Sequence, residues 1–494
     1  NILLTAINAK YIHSNLAVYS LRACAGEYRD AVELAEYTIN NQKDYILEEL
    51  YKRKPDVLCF SCYIWNIDYV TDIAREYKKL CPSVPIWVGG PEVSYEVEAF
   101  LRENPYIDGV MIGEGEDTFR ELCGYYAHKR KLSDIAGIAF RKNSTGNSTS
   151  NSTSVNNIGG NKAGEIVFTS PRPIKNMSEI PFCYDTLDDF SNRIIYYESS
   201  RGCPFSCSYC LSSVDKTLRF RDTEIVKREL KFFIDQKVPQ IKFVDRTFNC
   251  NHAHAMELWR FIKANDNGVT NFHFEISADL LNQEELELIS DMRPGLIQLE
   301  IGVQSTNEVT IKEIHRTMKL ERLKEVVRLI QSGNNIHEHL DLIAGLPYED
   351  YDSFGRSFDE IYELKPNQLQ LGFLKVLKGS YMFEHAAEYG IVYHDKPPYE
   401  VMSTKWLSFD DVIKIKRVED MLEVYYNSGQ FEITMKLMEC IFDSAFEFFQ
   451  ELGDFYEANG YFGMSHSRIR RCEILLEFLA LYLHGCDSDA ITSV

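Results

Sequence analysis

Between about residues 190 and 400, six short apolar runs recur with helical patterns between them. The runs are Ile194–Glu198, Gln240–Val244, Asn271–Ser277, Leu296–Gly302, Ile336–Ile343 and Leu369–Leu374. The helical patterns are Glu224–Gln236, Ala255–Ala264, Gln283–Met292, Leu320–Gln331 and Tyr351–Leu364. Strands that alternate with helices at this spacing pair in parallel, because each helix is the crossover that returns the chain to the same sheet end. Six such units are a partial version of the eightfold β/α barrel. A barrel of this kind carries its functional groups at the C-terminal ends of the strands.

The first of these strands runs into Arg201-Gly202-Cys203-Pro204-Phe205-Ser206-Cys207-Ser208-Tyr209-Cys210, a Cys-x3-Cys-x2-Cys spacing in a loop. Thiolates are the usual protein ligands of iron–sulfur clusters, and three of them leave a cubane with one iron short of a protein ligand. A structural zinc site wants four ligands, and the loop holds no fourth Cys or His. Cys250, His252 and His254 are the nearest later group and read as a surface turn at a helix start.

Residues 1–140 show a second alternation. Apolar strands at Ile2–Ala6, Asp56–Ser61, Pro85–Gly90 and Tyr106–Ile112 are interleaved with helices at about Leu16–Tyr28 and Asp68–Leu80. This is the pattern of a doubly wound, Rossmann-like α/β domain. Two of the strands end in Gly89-Gly90 and Gly113-Glu114-Gly115. Glycines there allow a ligand close to the backbone, and open α/β sheets bind ligands at that edge.

The cysteine motif, with aromatic Tyr209 before its last cysteine, resembles that of the radical S-adenosylmethionine (SAM) enzymes. Val88-Gly89-Gly90-Pro91-Glu92 followed by Ile112-Gly113-Glu114-Gly115-Glu116 resembles the cobalamin-binding domain that precedes many radical SAM barrels. The resemblance implies a 4Fe-4S cluster on Cys203, Cys207 and Cys210, with SAM chelated to the open iron beside Tyr209. Reductive cleavage of SAM would then give a 5′-deoxyadenosyl radical. The runs Leu299–Ser305, Arg316 and Asp341–Pro347 look like those of oxygen-independent coproporphyrinogen oxidase. By that resemblance Glu275 and backbone near Val244 hold the SAM amino group, Gln304 and Asp341 the ribose hydroxyls, and Arg316 a carboxylate. Such groups suit those partners: carboxylates accept from ammonium and diol, and arginine grips carboxylate in two places. The usual Gly-Gly-Glu after the second strand is missing; Val244-Asp245-Arg246 stands there.

On the cobalamin side the resemblance implies contacts from Ser61, Gly89, Gly90, Gly113 and Glu114. It departs from proteins that ligate cobalt by histidine, whose motif is Asp-x-His-x-x-Gly. Here the segment reads Tyr11-Ile12-His13-Ser14-Asn15-Leu16, without the aspartate or the glycine. An imidazole ligand needs such an orienting group. The expectation is therefore cobalt without a protein histidine below it, and His13 as a polar group at the corrin edge or helix start.

The remaining segments are a linker and a tail. Residues 141–190 contain a Ser/Asn/Gly-rich stretch, Asn143–Lys162, too polar to order itself. Gly137–Phe140 and Glu165–Phe168 flank it as the strands of a hairpin. Residues 401–494 read as an α-helical domain that starts at a Ser408–Asp411 cap. Its Phe442, Phe446 and Phe449 recur at helical spacing, which points to core rather than a cofactor site.

Net charge of −21 argues against broad nucleic-acid binding. The 13 cysteines form no small-domain framework. With no secretory signal and no apolar run long enough to span a bilayer, the reading is a cytoplasmic, anaerobic enzyme without a membrane. The resemblance implies an electron donor such as flavodoxin or ferredoxin. It implies methylation of an unactivated carbon or phosphorus centre, with cobalamin carrying the methyl group. A radical SAM oxidoreductase or cyclase without methyl transfer is the alternative. A non-catalytic cobalamin or iron–sulfur sensor is a third, against which an open iron with a SAM pocket argues. Small molecule, peptide and RNA remain open as substrate.

Overall fold

The computed structural model describes residues 1–142 and 164–485; the polar stretch Asn143–Lys162 lies outside the described residues. The N-terminal domain is a seven-stranded sheet. Its strands are β1 (Ile2–Asn8), β2 (Val32–Thr38), β3 (Val57–Ser61), β4 (Ile86–Gly89), β5 (Gly109–Met111), β6 (Ile138–Arg141) and β7 (Ile166–Phe168), in the order β2-β1-β3-β4-β5-β6-β7. The first five are parallel, while β6 and β7 add an antiparallel hairpin. All seven residues of β1 are buried, as expected of a central strand covered on both faces. The order reverses between β1 and β3, the kind of switch point where open α/β sheets take their ligands.

Two features of this domain differ from the sequence reading. The helix expected over Leu16–Tyr28 stops at Cys24, where Gly26 turns left-handed (φ 58°) and a 3-10 turn follows over Gly26–Ala31. The strand β2 and the helix Lys43–Arg53 are additions to the expected elements. Val32-Glu33-Leu34-Ala35-Glu36-Tyr37-Thr38 is an edge strand whose glutamates blur the apolar pattern.

The second domain is an open sheet of six parallel strands: β8 (Ile195–Tyr197), β9 (Gln240–Phe243), β10 (Asn271–Ile276), β11 (Ile297–Gln304), β12 (His337–Ala344) and β13 (Gln368–Phe373), laid side by side in chain order. On β11 and β12 buried and half-buried residues alternate strictly. The apolar face lies under the helices, and the other carries Glu275, Glu300, Gln304 and Asp341.

An open sheet has two bare edges, and both are covered here. Beyond β8, Ile194 donates its N–H to the Ile12 carbonyl at 2.8 Å, and Ser14 Oγ donates to the Ile194 carbonyl at 2.8 Å. At the far edge, the Asn427 side-chain amide takes the Leu369 N–H at 3.0 Å and donates to the Leu369 carbonyl at 2.9 Å. Asn427 thus stands in for one residue of a neighbouring strand.

The tail contributes helices Phe409–Leu422, Glu432–Ile441, Ala445–Ala458 and Arg468–Gly485. Ser408 and Asp411 cap the first of them reciprocally. Phe442, Phe446 and Phe449 are buried in the core, with Phe446 packed edge-on against Phe354 of the barrel. No helix among the described residues is long and apolar enough to cross a membrane.

Candidate active site

The cysteine loop leaves β8 and is pinned at several points. Ser200–Arg201 pairs antiparallel with Arg219–Phe220. Gly202 sits at φ 90°, and a Cβ there would meet the Thr217 carbonyl oxygen at 2.6 Å, so only glycine fits. Ser208 donates its N–H to the Ile314 carbonyl at 2.9 Å and accepts from Met382 N–H at 2.9 Å. Cys203, Cys207 and Cys210 are free thiols, and burial holds the Cys203 thiol above its usual range. Among the described residues no three potential ligands are gathered tightly enough for a single metal ion. A cubane asks each thiolate to reach a different iron, so a wider triad suits it.

Asp245, which the sequence reading passed over for the backbone of Val244, holds the base of this loop. Its buried carboxylate accepts from Ser199 N–H at 2.9 Å, Ser199 Oγ at 2.6 Å and Ser200 Oγ at 2.6 Å. Burial pushes it up to about 6 despite those bonds. His254 meets Ser199 Oγ at 3.0 Å through Nε2 and is buried, so the expected surface turn at Cys250–His254 is instead the packed start of the helix His252–Ala264. Val244 donates its N–H to the Tyr197 carbonyl at 2.9 Å.

Beside the loop, a cavity of about 220 Å³ opens at the C-terminal ends of β10, β11 and β12. It brings together Cys207, Glu275, Gln304, Arg316 and Asp341. Tyr209 borders it through Arg316, whose Nη1 donates to Tyr209 Oη at 3.3 Å and to Cys207 Sγ at 3.8 Å. Arg316 Nη2 donates to the Gly302 carbonyl. The guanidinium therefore braces the cysteine loop against β11, and its buried Nε has no partner. Gln304 follows an irregularity in the β11–β12 register and sits at φ 74°, a costly conformation for a non-glycine residue and one that clusters at functional sites.

Three buried polar atoms around this cavity have no hydrogen-bond partner: Asp341 Oδ1, Gln304 Oε1 and Arg316 Nε. Burial and facing Glu300 raise Glu275 to about 7; burial, Glu300 and Glu275 raise Asp341 to about 7. Burial would raise Glu300 too, but His273 at 3.0 Å and Lys242 at 2.8 Å hold it at about 2. Carboxylates without donors, an amide oxygen without a donor and a free N–H fit a ligand that brings an ammonium, hydroxyls and a carboxylate, as SAM does.

A second cavity, of about 590 Å³, lies between the C-terminal edge of the N-terminal sheet and the barrel mouth. Ser61, Gly89, Gly90, Gly113 and Glu114 all line it, with apolar walls from Leu4, Phe60 and Met111. Gly113 sits at φ 74° with nothing within 4 Å of where a Cβ would stand, and Gly90 at φ 121° lies against the Cys62 backbone. Bare backbone and apolar walls suit a broad, flat ligand such as a corrin. The Glu114 carboxylate also braces the wall itself, pairing with Arg219 at 2.6 Å and Arg201 at 3.3 Å and accepting from Lys175 N–H at 3.1 Å. His13 is not among the residues lining this cavity; its Nδ1 meets Tyr196 Oη at 2.6 Å.

Comparison with known proteins gives the domain families of the chain. Residues 2–123 match the B12 binding domain, residues 197–361 the radical SAM superfamily, and residues 387–492 a protein family of unknown function, DUF4080. The cobalamin-dependent radical SAM methyltransferase TokK of Streptomyces tokunonensis is 27% identical over 69% of this chain and 49% of its own length. The chain thus spans about half of that relative. The anaerobic magnesium-protoporphyrin IX monomethyl ester cyclase of Rubrivivax gelatinosus is 22% identical over 69% of this chain and 60% of its own. In fold, the chain is similar to the cobalamin-dependent SAM radical enzyme OxsB, with a TM-score of 0.66, 15% identity, and coverage of 97% of this chain and 75% of that one. The cofactors of the two named domains are cobalamin, SAM and a 4Fe-4S cluster. The chain thus combines a B12 binding domain and a radical SAM domain with a C-terminal region of the DUF4080 type.

Proposed function

We propose that the protein is a cobalamin-dependent radical SAM methyltransferase that acts on an unactivated centre of its substrate. Bound together, the cofactors supply a strongly reducing cluster, a cleavable sulfonium and a transferable methyl group. In this reading Cys203, Cys207 and Cys210 hold the cluster, and Glu275, Gln304, Asp341 and the backbone near Val244 orient SAM. Arg316 fixes the cysteine loop and offers Nε to the SAM carboxylate. Ser61, Gly89, Gly90, Gly113 and Glu114 form the cobalamin cradle, and His13 stays off the cobalt. A one-electron donor such as flavodoxin or ferredoxin supplies the electron for SAM cleavage in this reading. Residues 1–140, 191–400 and 401–494 act as the cobalamin, radical and covering domains, joined by residues 141–190.

The observation that supports this most is adjacency. The cavity walled by the glycine-rich strand ends and the cavity walled by the orphaned SAM-type groups adjoin at the barrel mouth. A methyl carrier and a radical source serve one acceptor only when they face the same space.

The test is product analysis with anaerobically reconstituted protein, reductant and SAM labelled in its methyl group, run on extracts fractionated for an acceptor. Methyl transfer by this route yields both S-adenosylhomocysteine and 5′-deoxyadenosine, with label in a third product. The likeness to a cyclase favours one other reading, radical chemistry without methyl transfer. That outcome gives 5′-deoxyadenosine alone.

A further inference from the structure

The two cavities share one lining residue, Arg246. It stands just past the C-terminal end of β9 and is exposed. Among the described residues its side chain makes no hydrogen bond or ion pair. The other arginines around these cavities are all engaged. Arg201 pairs with Glu198 and Glu116, Arg221 with Glu229, and Arg316 with the Gly302 carbonyl and Tyr209. Three of the nearby carboxylates are committed too, while Asp341 Oδ1 in the smaller cavity has no partner. Asp245 is tied to Ser199 and Ser200, Glu198 to Arg201, and Glu300 to Lys242 and His273. Glu275 feels the charge of Arg246 without being hydrogen-bonded to it.

Arg246 is the side chain that faces both cavities. In a chain of net charge −21, a guanidinium at that junction with no hydrogen-bonded counter-charge is a local positive point in a negative field. Guanidinium binds carboxylate and phosphate through two parallel N–H···O bonds, which fixes orientation as well as position. We infer that Arg246 is the anchor for an oxyanion, carboxylate or phosphate, carried by the acceptor molecule. This gives the acceptor an anionic group and sets its register: the anionic group on Arg246, the reacting atom between the two cavities. The inference rests on the function proposed above.

The test uses two probes, inorganic phosphate and acetate, titrated by calorimetry into wild type, Arg246→Gln and Arg246→Lys. Cluster and cobalamin absorbance are recorded first. That reading by itself tests the proposed function; the titration reads Arg246 in either case, because the guanidinium is the chain's own. Saturable binding of one anion by wild type, weakened at least about tenfold in Arg246→Gln and partly kept in Arg246→Lys, supports the inference. The anion that binds more tightly identifies the group on the acceptor. Three results overturn it: no saturable anion binding by wild type, equal binding in Arg246→Gln, or a loss of SAM affinity in Arg246→Gln as large as the loss of anion affinity. The last would make Arg246 a SAM ligand.

Discussion

Arg201 Nη2 lies 2.8 Å from Glu116 Oε1, and the two residues belong to different domains. Arg201 opens the cysteine loop, while Glu116 begins the helix that follows the glycine-rich end of β5. The same guanidinium holds Glu198 at 2.7 Å. One side chain thus ties the cobalamin-side edge to the root of the cluster loop. Glu116→Gln keeps the shape and removes the charge. It should cost about 1–3 kcal/mol, because Glu116 is buried and leaves Arg201 less well satisfied. Urea unfolding of the reconstituted protein measures this; an unchanged midpoint means the seam is held by other contacts.

Each of Cys203→Ala, Cys207→Ala and Cys210→Ala should abolish the cluster, since a cubane bound by three thiolates does not survive the loss of one. Iron and sulfide content and visible absorption report it. A triple variant that keeps wild-type iron, sulfide and absorption places the cluster elsewhere.

Asp341 gives a prediction with opposite signs for binding and stability. Its carboxyl, near 7 in the fold, lies above the unfolded value of about 3.9. The native state therefore holds the proton more tightly. The stability this provides is fully present below about pH 4 and is lost as pH rises through about 7. Asp341→Asn should raise the ligand-free unfolding free energy at pH 8 by up to about 4 kcal/mol, the equivalent of the rise from about 3.9 to about 7. It should also weaken SAM binding by about 1–3 kcal/mol with the cluster intact. Wild-type SAM affinity should rise with pH across 6 to 8, as Asp341 and Glu275, both near 7, ionise. Calorimetry and urea titration at both ends of that range decide it; unchanged SAM affinity in Asp341→Asn removes the residue from the pocket.

For cobalamin, Gly113→Val should block binding while leaving the cluster, because its side chain would enter open space in the larger cavity. The left-handed φ of 74° adds a strain of about 1 kcal/mol. His13→Ala should leave the electron paramagnetic resonance of the cobalt(II) protein unchanged, since His13 is bonded to Tyr196 and lies off the cavity wall. Nitrogen splitting that disappears in His13→Ala would show the histidine on cobalt.

The parts of this molecule legible in the sequence are those carried by local pattern. The six barrel strands stand out because apolar runs alternate with amphipathic helices, and the glycine pairs mark where β4 and β5 end. Glu275, Gln304 and Asp341 are reached through resemblance, and they line one cavity because each lies in the C-terminal half of one of three adjacent parallel strands. What stays hidden depends on distant partners. Nothing near Glu114 announces that it pairs with Arg201 and Arg219, and nothing near Asp245 announces Ser199 and Ser200. Arg246 is visible only as part of a missing Gly-Gly-Glu; its position at a junction is a property of two cavities. The edge strand β2 escapes because half of its residues face outward.

The hydrogen bonds from Ile194 to Ile12 and from Ser14 to Ile194 form an isolated parallel bridge by which the N-terminal domain covers the margin of the barrel sheet. A gene fragment beginning near residue 190 would therefore encode a sheet with a missing margin, ready to recruit the same margin from another copy. Cutting between these domains would yield aggregates or swapped dimers rather than two working halves. The cobalamin unit is, for this chain, a component of folding as much as a carrier of cofactor, and recombination that trades one such unit for another has to preserve residues 12–14 before it preserves anything that touches the corrin.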